Sequence, residues 1–120
     1  MKIKIDKADT AFSLYIRTRD NWTCQRCGAR FTPPTNILQC SHYFGRRREN
    51  TRFDPENCDA LCLSCHQIWG SDDRESYREF KLGQLGQEGY NWLILRSNTY
   101  KKRDRKMSLI VARELLKGVS

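Results

Sequence analysis

The chain has 120 residues, of which 38% are hydrophobic, and its formal net charge at pH 7 is +8. This length suits one domain with a modest core, and no segment approaches the roughly 20 apolar residues of a membrane-spanning helix. The first residues lack the apolar run of a secretory signal, so a cytoplasmic location is expected. The positive charge suits a polyanionic partner such as nucleic acid, although charge alone does not identify one.

The N-terminal part of the chain predicts an amphipathic helix over residues 6–20. Its apolar side chains recur at helical spacing on one face, and they are Ala8, Phe12, Tyr15 and Ile16. Asp6 or Asp9 is expected to cap the helix, because a carboxylate accepts hydrogen bonds from the free backbone N–H groups of the first turn.

The middle of the chain predicts a strand, a basic loop and a return strand, followed by a short helix. Residues 37–44 have the composition of a strand, residues 50–53 are interpreted as its return strand, and residues 54–57 as a turn. The short helix is expected over residues 65–69 and is predicted to end at Gly70.

The C-terminal part predicts helices separated by breaks. Ser71 is the candidate N-cap of the first of them, and glycines over residues 83–89 predict a break, because glycine disfavours a helix interior. A basic linker at residues 101–103 precedes a last helix over residues 106–116. This last helix carries an apolar stripe made of Met107, Ile110, Val111 and Leu115.

Two CxxC pairs are the most specific pattern in the sequence. Cys24 and Cys27 form the first pair, and Cys62 and Cys65 form the second. Four thiolates at this spacing are typical of a closed tetrahedral zinc site, and in a reducing compartment such pairs bind metal rather than form disulfides. We therefore expect a structural Zn²⁺ that joins two distant segments.

Two further cysteines stand outside this pattern. Cys40 and Cys58 are interpreted as small buried hydrophobic residues, because free cysteine is commonly buried. The alternative is that Cys40 has a role beside His42.

The two histidines of the chain, His42 and His66, lie between and beside the CxxC pairs, with Asn57 between them. Phosphodiester hydrolysis needs a base that activates water and a dication that stabilises charge on the leaving oxygen. A neutral imidazole suits the first task near pH 7, and a second imidazole or an oxygen ligand suits the second. On spacing alone, a hydrolytic site and two structural histidines are equally consistent with the sequence.

These residues form one longer pattern: Cys24-x2-Cys27, then Ser41-His42, Asn57 and Leu61-Cys62-x2-Cys65-His66. The pattern resembles the HNH (ββα-metal) nucleases that carry a zinc ribbon. Its cysteine framework is similar to that of the phage endonuclease VII-type Holliday-junction resolvases.

A closer resemblance is to the phage recombination protein NinG (Rap) family. It rests on residues 15–20 (YIRTRD), 41–43 (SHY), 51–57 (TRFDPEN), 77–78 (YR) and 85–88 (LGQE). It implies an α+β fold in a single domain: a zinc-bound ββα core over residues 22–70, between an N-terminal helix within residues 1–21 and a C-terminal helical region over residues 71–120. It also implies a DNA endonuclease that cuts branched recombination intermediates such as Holliday junctions.

By this resemblance, His42 is the general base, Asn57 orients His42 or braces the loop, and His66 binds a catalytic Mg²⁺ or Mn²⁺. HNH nucleases commonly carry Asp or His directly before the base, where this chain has Ser41. A hydroxyl is a weaker metal ligand than a carboxylate. The remaining oxygen ligands of the catalytic metal ion are therefore expected to come from water or from a carboxylate of Asp59, Asp72 or Asp73.

Basic residues near and beyond the histidines are the candidate DNA contacts. The first group borders the expected site and contains Arg46, Arg47, Arg48 and Arg52; the second is the linker Lys101, Lys102 and Arg103. Guanidinium groups match phosphate oxygens. Backbone contacts carry no sequence information, so recognition of DNA by shape is expected. The alternative for both groups is a solvated charged surface.

The apolar stripe of the last helix and the function itself each leave alternatives open. The stripe packs on the domain's own core, or it forms a homodimer interface, which suits an enzyme that makes two cuts at one junction. The alternative functions are a non-catalytic zinc module that binds nucleic acid, and an HNH nuclease that cuts linear duplex.

Overall fold

A computed structural model describes residues 3–119 and confirms the expected α+β class, mostly helical with a small antiparallel sheet. In chain order, the elements are α1 (Lys7–Arg19), β1 (Leu38–His42), α2 (Glu49–Arg52), a 3₁₀ turn (Pro55–Asn57), β2 (Cys58–Cys62), α3 (Leu63–Gln67), a π-helical segment (Ile68–Asp72), α4 (Arg74–Asn98) and α5 (Arg105–Val119). Among the described helices, none has the length and hydropathy needed to cross a lipid bilayer.

Helix α1 begins at a capping box. The backbone N–H of Asp9 donates to the Asp6 carboxylate across 3.1 Å, and the backbone N–H of Asp6 donates to the Asp9 carboxylate across 2.9 Å. Two backbone donors that have no helical partner are satisfied in this way. The predicted apolar face of α1 is confirmed as buried, and it packs against the sheet and α5.

The return strand is β2, Cys58–Cys62, and the prediction of a strand at residues 50–53 is wrong. In the antiparallel pair, Leu38 lies opposite Cys62 and His42 lies opposite Cys58. All five residues of β2 are buried, so the strand lacks the alternation that identifies a strand in a sequence. Residues 50–53 instead belong to α2 and its end, where Thr51 and Arg52 are buried by tertiary contacts.

The helix expected over residues 65–69 is longer at both ends. Helix α3 begins at Leu63, and the helical path continues through Gly70 to Asp72 in the π-helical segment. Gly70 therefore does not end it. The N-cap of α4 is Asp73 rather than Ser71, because the Asp73 carboxylate accepts from the backbone N–H of Ser76 across 3.1 Å.

The break expected within residues 83–89 is confirmed at Gly86, where α4 kinks. Gly86 has φ 74° and ψ 168°, a conformation that glycine adopts without the steric cost of a Cβ atom.

Helix α5 packs on α1 mainly through small residues. Ser108 and Ala112 are its buried residues, and small side chains at a contact let two helices approach closely. The predicted apolar stripe is divided: Met107 is 52% exposed, Ile110 55% and Val111 39%, whereas Leu115 is partly buried and packs against the core.

Candidate functional site

The four cysteines of the CxxC pairs converge into one cluster. The sulfur atoms of Cys24, Cys27, Cys62 and Cys65 all lie within 4.8 Å of one another, and those of Cys27 and Cys62 are 3.9 Å apart. Sulfur ligands about 2.3 Å from a tetrahedral zinc ion lie roughly 3.8 Å from each other. The cluster can therefore hold a zinc ion with little rearrangement.

The first CxxC pair lies on a tight turn. The backbone N–H of Cys24 donates to Ala29 O across 2.8 Å, and that of Gly28 donates to Cys24 O across 2.9 Å. Gly28 closes the turn with φ +79°, which suits a residue without a side chain.

The second CxxC pair joins the end of β2 to the start of α3, and its two thiols differ in acidity. Burial opposes ionisation of Cys62, but hydrogen bonds involving Ser64 and Cys65 lower the pKa of this thiol to about 6. Burial, together with the neighbouring cysteine thiols, raises the pKa of Cys65 to about 12, although the Arg26 guanidinium 3.4 Å from its sulfur opposes that rise. Thiolates are the form that binds metal.

His42 ends β1 with its ring fixed in one tautomer. Its Nε2 lies 2.8 Å from the backbone oxygen of Arg52, so Nε2 carries the proton and Nδ1 keeps its lone pair. Nδ1 is buried and has no hydrogen-bond partner among the described residues. Burial, and then the positive charge of Arg46, lower the pKa of His42 to about 4, so the ring is neutral near pH 7.

Asn57 braces the loop that leads away from His42. It is fully buried; its Oδ1 accepts from the backbone N–H of Phe44 across 2.9 Å, and its Nδ2 donates to Phe44 O across 2.9 Å and to Thr51 O across 3.0 Å. Of the two roles expected for Asn57, this geometry shows the bracing one. Because Thr51 directly precedes Arg52, the same contacts hold the carbonyl that binds the His42 ring.

His66 lies on α3 and borders the same groove as His42. The groove has a volume of about 480 Å³. The Nδ1 atom of His66 lies 3.0 Å from Gln39 Oε1, so Nδ1 is the donor and Nε2 keeps the lone pair that a metal needs. Burial, and then the charge of Arg46, lower the pKa of His66.

This groove offers no carboxylate for a catalytic dication. Its described lining is Ile3, His42, Gly45, Arg46, Arg47, Arg48 and His66. Mg²⁺ takes oxygen ligands and is usually bound together with substrate phosphates. The groove therefore does not form a complete Mg²⁺ site by itself; it fits a dication that takes His66 from the protein and its oxygens from water and a phosphate.

The residues expected to supply the missing oxygens lie elsewhere. Ser41 is buried, and its hydroxyl accepts from Tyr77 across 3.2 Å. Asp59 is buried in an ion pair with Lys81, 2.8 Å away. The other two carboxylates bind local partners: Asp72 accepts from Gln67 and Asp73 caps α4.

Arg52 is a structural residue, and its predicted role as a DNA contact does not fit its position. The side chain is 0% exposed. Its Nε and Nη2 donate to the two carboxylate oxygens of Asp9 across 2.9 and 2.6 Å, a bidentate geometry. A fully buried guanidinium has no surface to offer a phosphate.

The sequence alone did not predict that Asp9, besides capping α1, forms a buried ion pair with Arg52. Its partner lies far along the chain, so no local pattern shows the ion pair. One signal was present: Asp9 shares the helical spacing of Phe12 and Ile16, so an acid lies on the apolar face of α1. A buried acid requires a cationic partner.

The structure places two arginines of the first basic group next to the linker at residues 101–103. Arg47 and Arg48 border the histidine groove and also line a second cavity of about 450 Å³, which Lys101 and Arg103 line as well. Lys102 is exposed between the last two. The result is one basic surface that runs from the histidines to the segment before α5.

Some of these charges also bind the protein itself. Arg48 donates to Asn98 across 2.6 Å, and Arg103 lies 3.8 Å from the Glu49 carboxylate. These contacts fix the segment after α4 against the basic loop.

Comparisons with protein-family models, with curated proteins and with solved structures found no match to this chain. The resemblance to HNH nucleases therefore rests on the sequence motifs of this chain alone.

Proposed function

We propose that the protein is a metal-dependent DNA endonuclease of the HNH type. The supporting observation is the state of His42: its Nε2 proton is directed to Arg52 O, while Nδ1 keeps a free lone pair beside a groove shared with His66 and three arginines. A neutral, oriented imidazole is the group that a general base requires.

In this reaction, substrate binding opens the buried Nδ1 of His42 to a water molecule. Nδ1 takes a proton from this water, and the water oxygen attacks the phosphorus. The bond from phosphorus to the leaving oxygen breaks, and solvent returns a proton to that oxygen. His66 would hold a catalytic Mg²⁺ or Mn²⁺ together with the substrate phosphate, and the ion would stabilise the charge of the leaving oxygen. Asn57 is a positioning residue, because it holds the backbone to which His42 is bonded.

The four-cysteine cluster supports this site without taking part in the chemistry. A zinc ion with four thiolates has no open position and is structural. It would tie the turn that carries Cys24 and Cys27 to the start of α3, and Cys65 directly precedes His66. Zinc would therefore fix the position of the candidate metal ligand.

Branched DNA is the substrate we propose, because the basic surface spans two adjacent cavities rather than one groove. Such a surface can contact the phosphates of two DNA arms, whose relative direction distinguishes a junction from a linear duplex. A nuclease that acts on linear duplex would use the same chemistry and only one of the two basic groups.

A second copy of the chain is a further part of the proposal. Three of the four residues of the apolar stripe of α5, Met107, Ile110 and Val111, face outward, although α5 packs on α1. A two-fold dimer would cover the stripe and give two catalytic groups for paired cuts at one junction.

A non-catalytic zinc module that binds nucleic acid is the second candidate. The observation in its favour is the lack of a carboxylate in the described lining of the histidine groove. The same basic surface would then serve binding alone.

One experiment separates these functions: cleavage of a labelled four-way junction and of linear duplex of the same sequence, in Mg²⁺ and in Mn²⁺. We expect paired cuts near the branch point, and their loss in His42→Ala with an unchanged zinc content and melting temperature. Equal cutting of linear duplex would contradict the branched substrate. Tight binding without cutting in either metal would support the zinc module, and wild-type cutting by His42→Ala would reject His42 as the base.

A further inference from the structure

A second group of metal-ligating side chains lies beside the groove and shares no residue with the four-cysteine cluster. The ligand atoms of Cys40, His42 and Cys58 all lie within 4.8 Å of one another. In the sheet, His42 lies directly opposite Cys58. Cys40 precedes His42 by two residues, and alternate residues of a strand share a face. The three side chains therefore converge on one face of the hairpin.

The polar atoms of this group have a free position for a ligand. Nε2 of His42 is taken by Arg52 O, whereas Nδ1 is buried without a hydrogen-bond partner in the described chain. Cys40 is 4% exposed and Cys58 0%. A buried nitrogen without a partner is costly to a fold, and a cation bound through its lone pair removes that cost.

The group lies beside two cavities. Cys40 borders one of about 360 Å³ and His42 borders the groove of about 480 Å³, while Cys58 and the Nδ1 atom of His42 are buried. Arg46 borders both cavities, and its Nε lies 4.0 Å from the Asp9 carboxylate, which offsets part of its positive charge.

We propose that Cys40, His42 and Cys58 bind a soft divalent cation such as Zn²⁺, and that this binding inhibits DNA cleavage. The two thiols release their protons to solvent, the ion takes both sulfurs and the Nδ1 lone pair, and water fills a fourth position. Thiolate ligands select such an ion over Mg²⁺. Because Nδ1 is then occupied, His42 no longer takes a proton from water. The inhibition rests on the proposed nuclease function, whereas the binding does not.

Binding is tested by adding Co²⁺ to the protein already loaded with one equivalent of zinc. Zinc is retained at the four thiolates because Co²⁺ binds such sites more weakly. We expect one further equivalent of Co²⁺, with the absorption band of a thiolate-to-cobalt charge transfer. Cys40→Ser and Cys58→Ser should each lose the band while keeping their zinc. Wild-type protein that binds no further Co²⁺ would overturn the proposal, as would a band that persists in both variants.

Inhibition is tested by adding Zn²⁺ to the cleavage reaction in Mn²⁺. Wild-type cleavage should fall at least tenfold as one equivalent binds, and Cys40→Ala should resist. Equal inhibition of the two proteins would assign the effect to another site and overturn the inhibitory role. Absence of cleavage in every metal would reject the nuclease, and with it the inhibition, while the Co²⁺ titration still decides the binding site.

Discussion

His42 and Asp9 are connected through a single residue, Arg52. The backbone oxygen of Arg52 accepts from the His42 ring across 2.8 Å, and its guanidinium donates to both carboxylate oxygens of Asp9. The helix that carries Asp9 therefore anchors the carbonyl that selects the tautomer of His42. The buried salt bridge between Asp9 and Arg52 thereby supports the contact that leaves Nδ1 of the His42 ring without a proton.

The buried ion pair should be sensitive to loss of one partner. Asp9→Asn removes the bidentate carboxylate from the buried Arg52 guanidinium and leaves it only the longer contact with Glu49, 3.9 Å away; removal of one partner from a buried pair costs about 3–5 kcal/mol. Denaturant unfolding of the zinc-loaded protein measures this. The matched control is Glu75→Gln, which breaks the exposed pair with Arg78 and should change stability by about 0–1 kcal/mol. Equal effects of the two substitutions would contradict the structural role of Arg52.

Removal of zinc should unfold the domain. A structural zinc site contributes roughly 10 kcal/mol or more to folding, so Cys62→Ser, or a strong chelator, should abolish the cooperative melting transition. Circular dichroism and metal analysis provide the readouts. The control is Cys40→Ser, the same chemical change outside the four-cysteine cluster, which should keep one equivalent of zinc. A cooperative, wild-type melt of Cys62→Ser would exclude the shared zinc site.

Asn57 should affect His42 without touching it. Asn57→Ala removes hydrogen bonds to Phe44 and Thr51, and each buried group left unpaired costs about 1–3 kcal/mol. The backbone at Arg52 then loses its brace, so ¹⁵N NMR of the imidazole should show a mixture of tautomers instead of one. A purely structural role would lower stability and leave the His42 spectrum unchanged, which would contradict its positioning role.

The two basic groups should contact the same DNA. Arg47→Ala combined with Lys101→Ala should lower the slope of log binding constant against log salt by about two units, because each lost phosphate contact removes about one. Arg113→Ala makes the same charge change as Arg47→Ala on the remote helix α5 and should leave the slope unchanged. A slope lowered by only one unit would mean that one of the two groups faces away from the DNA.

The exposed stripe of α5 should mediate self-association. Sedimentation equilibrium of the wild-type protein should show a dimer, and Ile110→Glu should give a monomer that still melts cooperatively, because Ile110 is 55% exposed within one chain. Its melting temperature should fall only by the stabilisation that dimerisation adds. A wild-type monomer at micromolar concentration would reject the dimer.

The local signals in the sequence were sufficient for several features. The cysteine spacing identified the four residues that converge as a cluster able to hold zinc, because two residues between cysteines let both sulfurs reach one ion. The apolar spacing of Phe12 and Ile16 identified the buried face of α1. Gly86 lies within the break predicted from glycine content. Each of these depends on residues a few positions apart in the chain.

Tertiary contacts decided the rest. Strand β2 is buried on both faces and shows no alternation, so its hydrogen bonds to β1 alone define it as a strand. Arg52 is the same residue type as the exposed Arg47 and Arg48. It is buried because it pairs with the carboxylate of Asp9, which is distant in the chain. Helix α5 buries Ala112 and Ser108 and leaves Met107, Ile110 and Val111 exposed, because close helix packing favours small side chains. The sequence by itself determined which side chains could bind zinc and which helices could form; the fold determined which charges are buried and which ring nitrogen is free, since both depend on groups far apart in the chain.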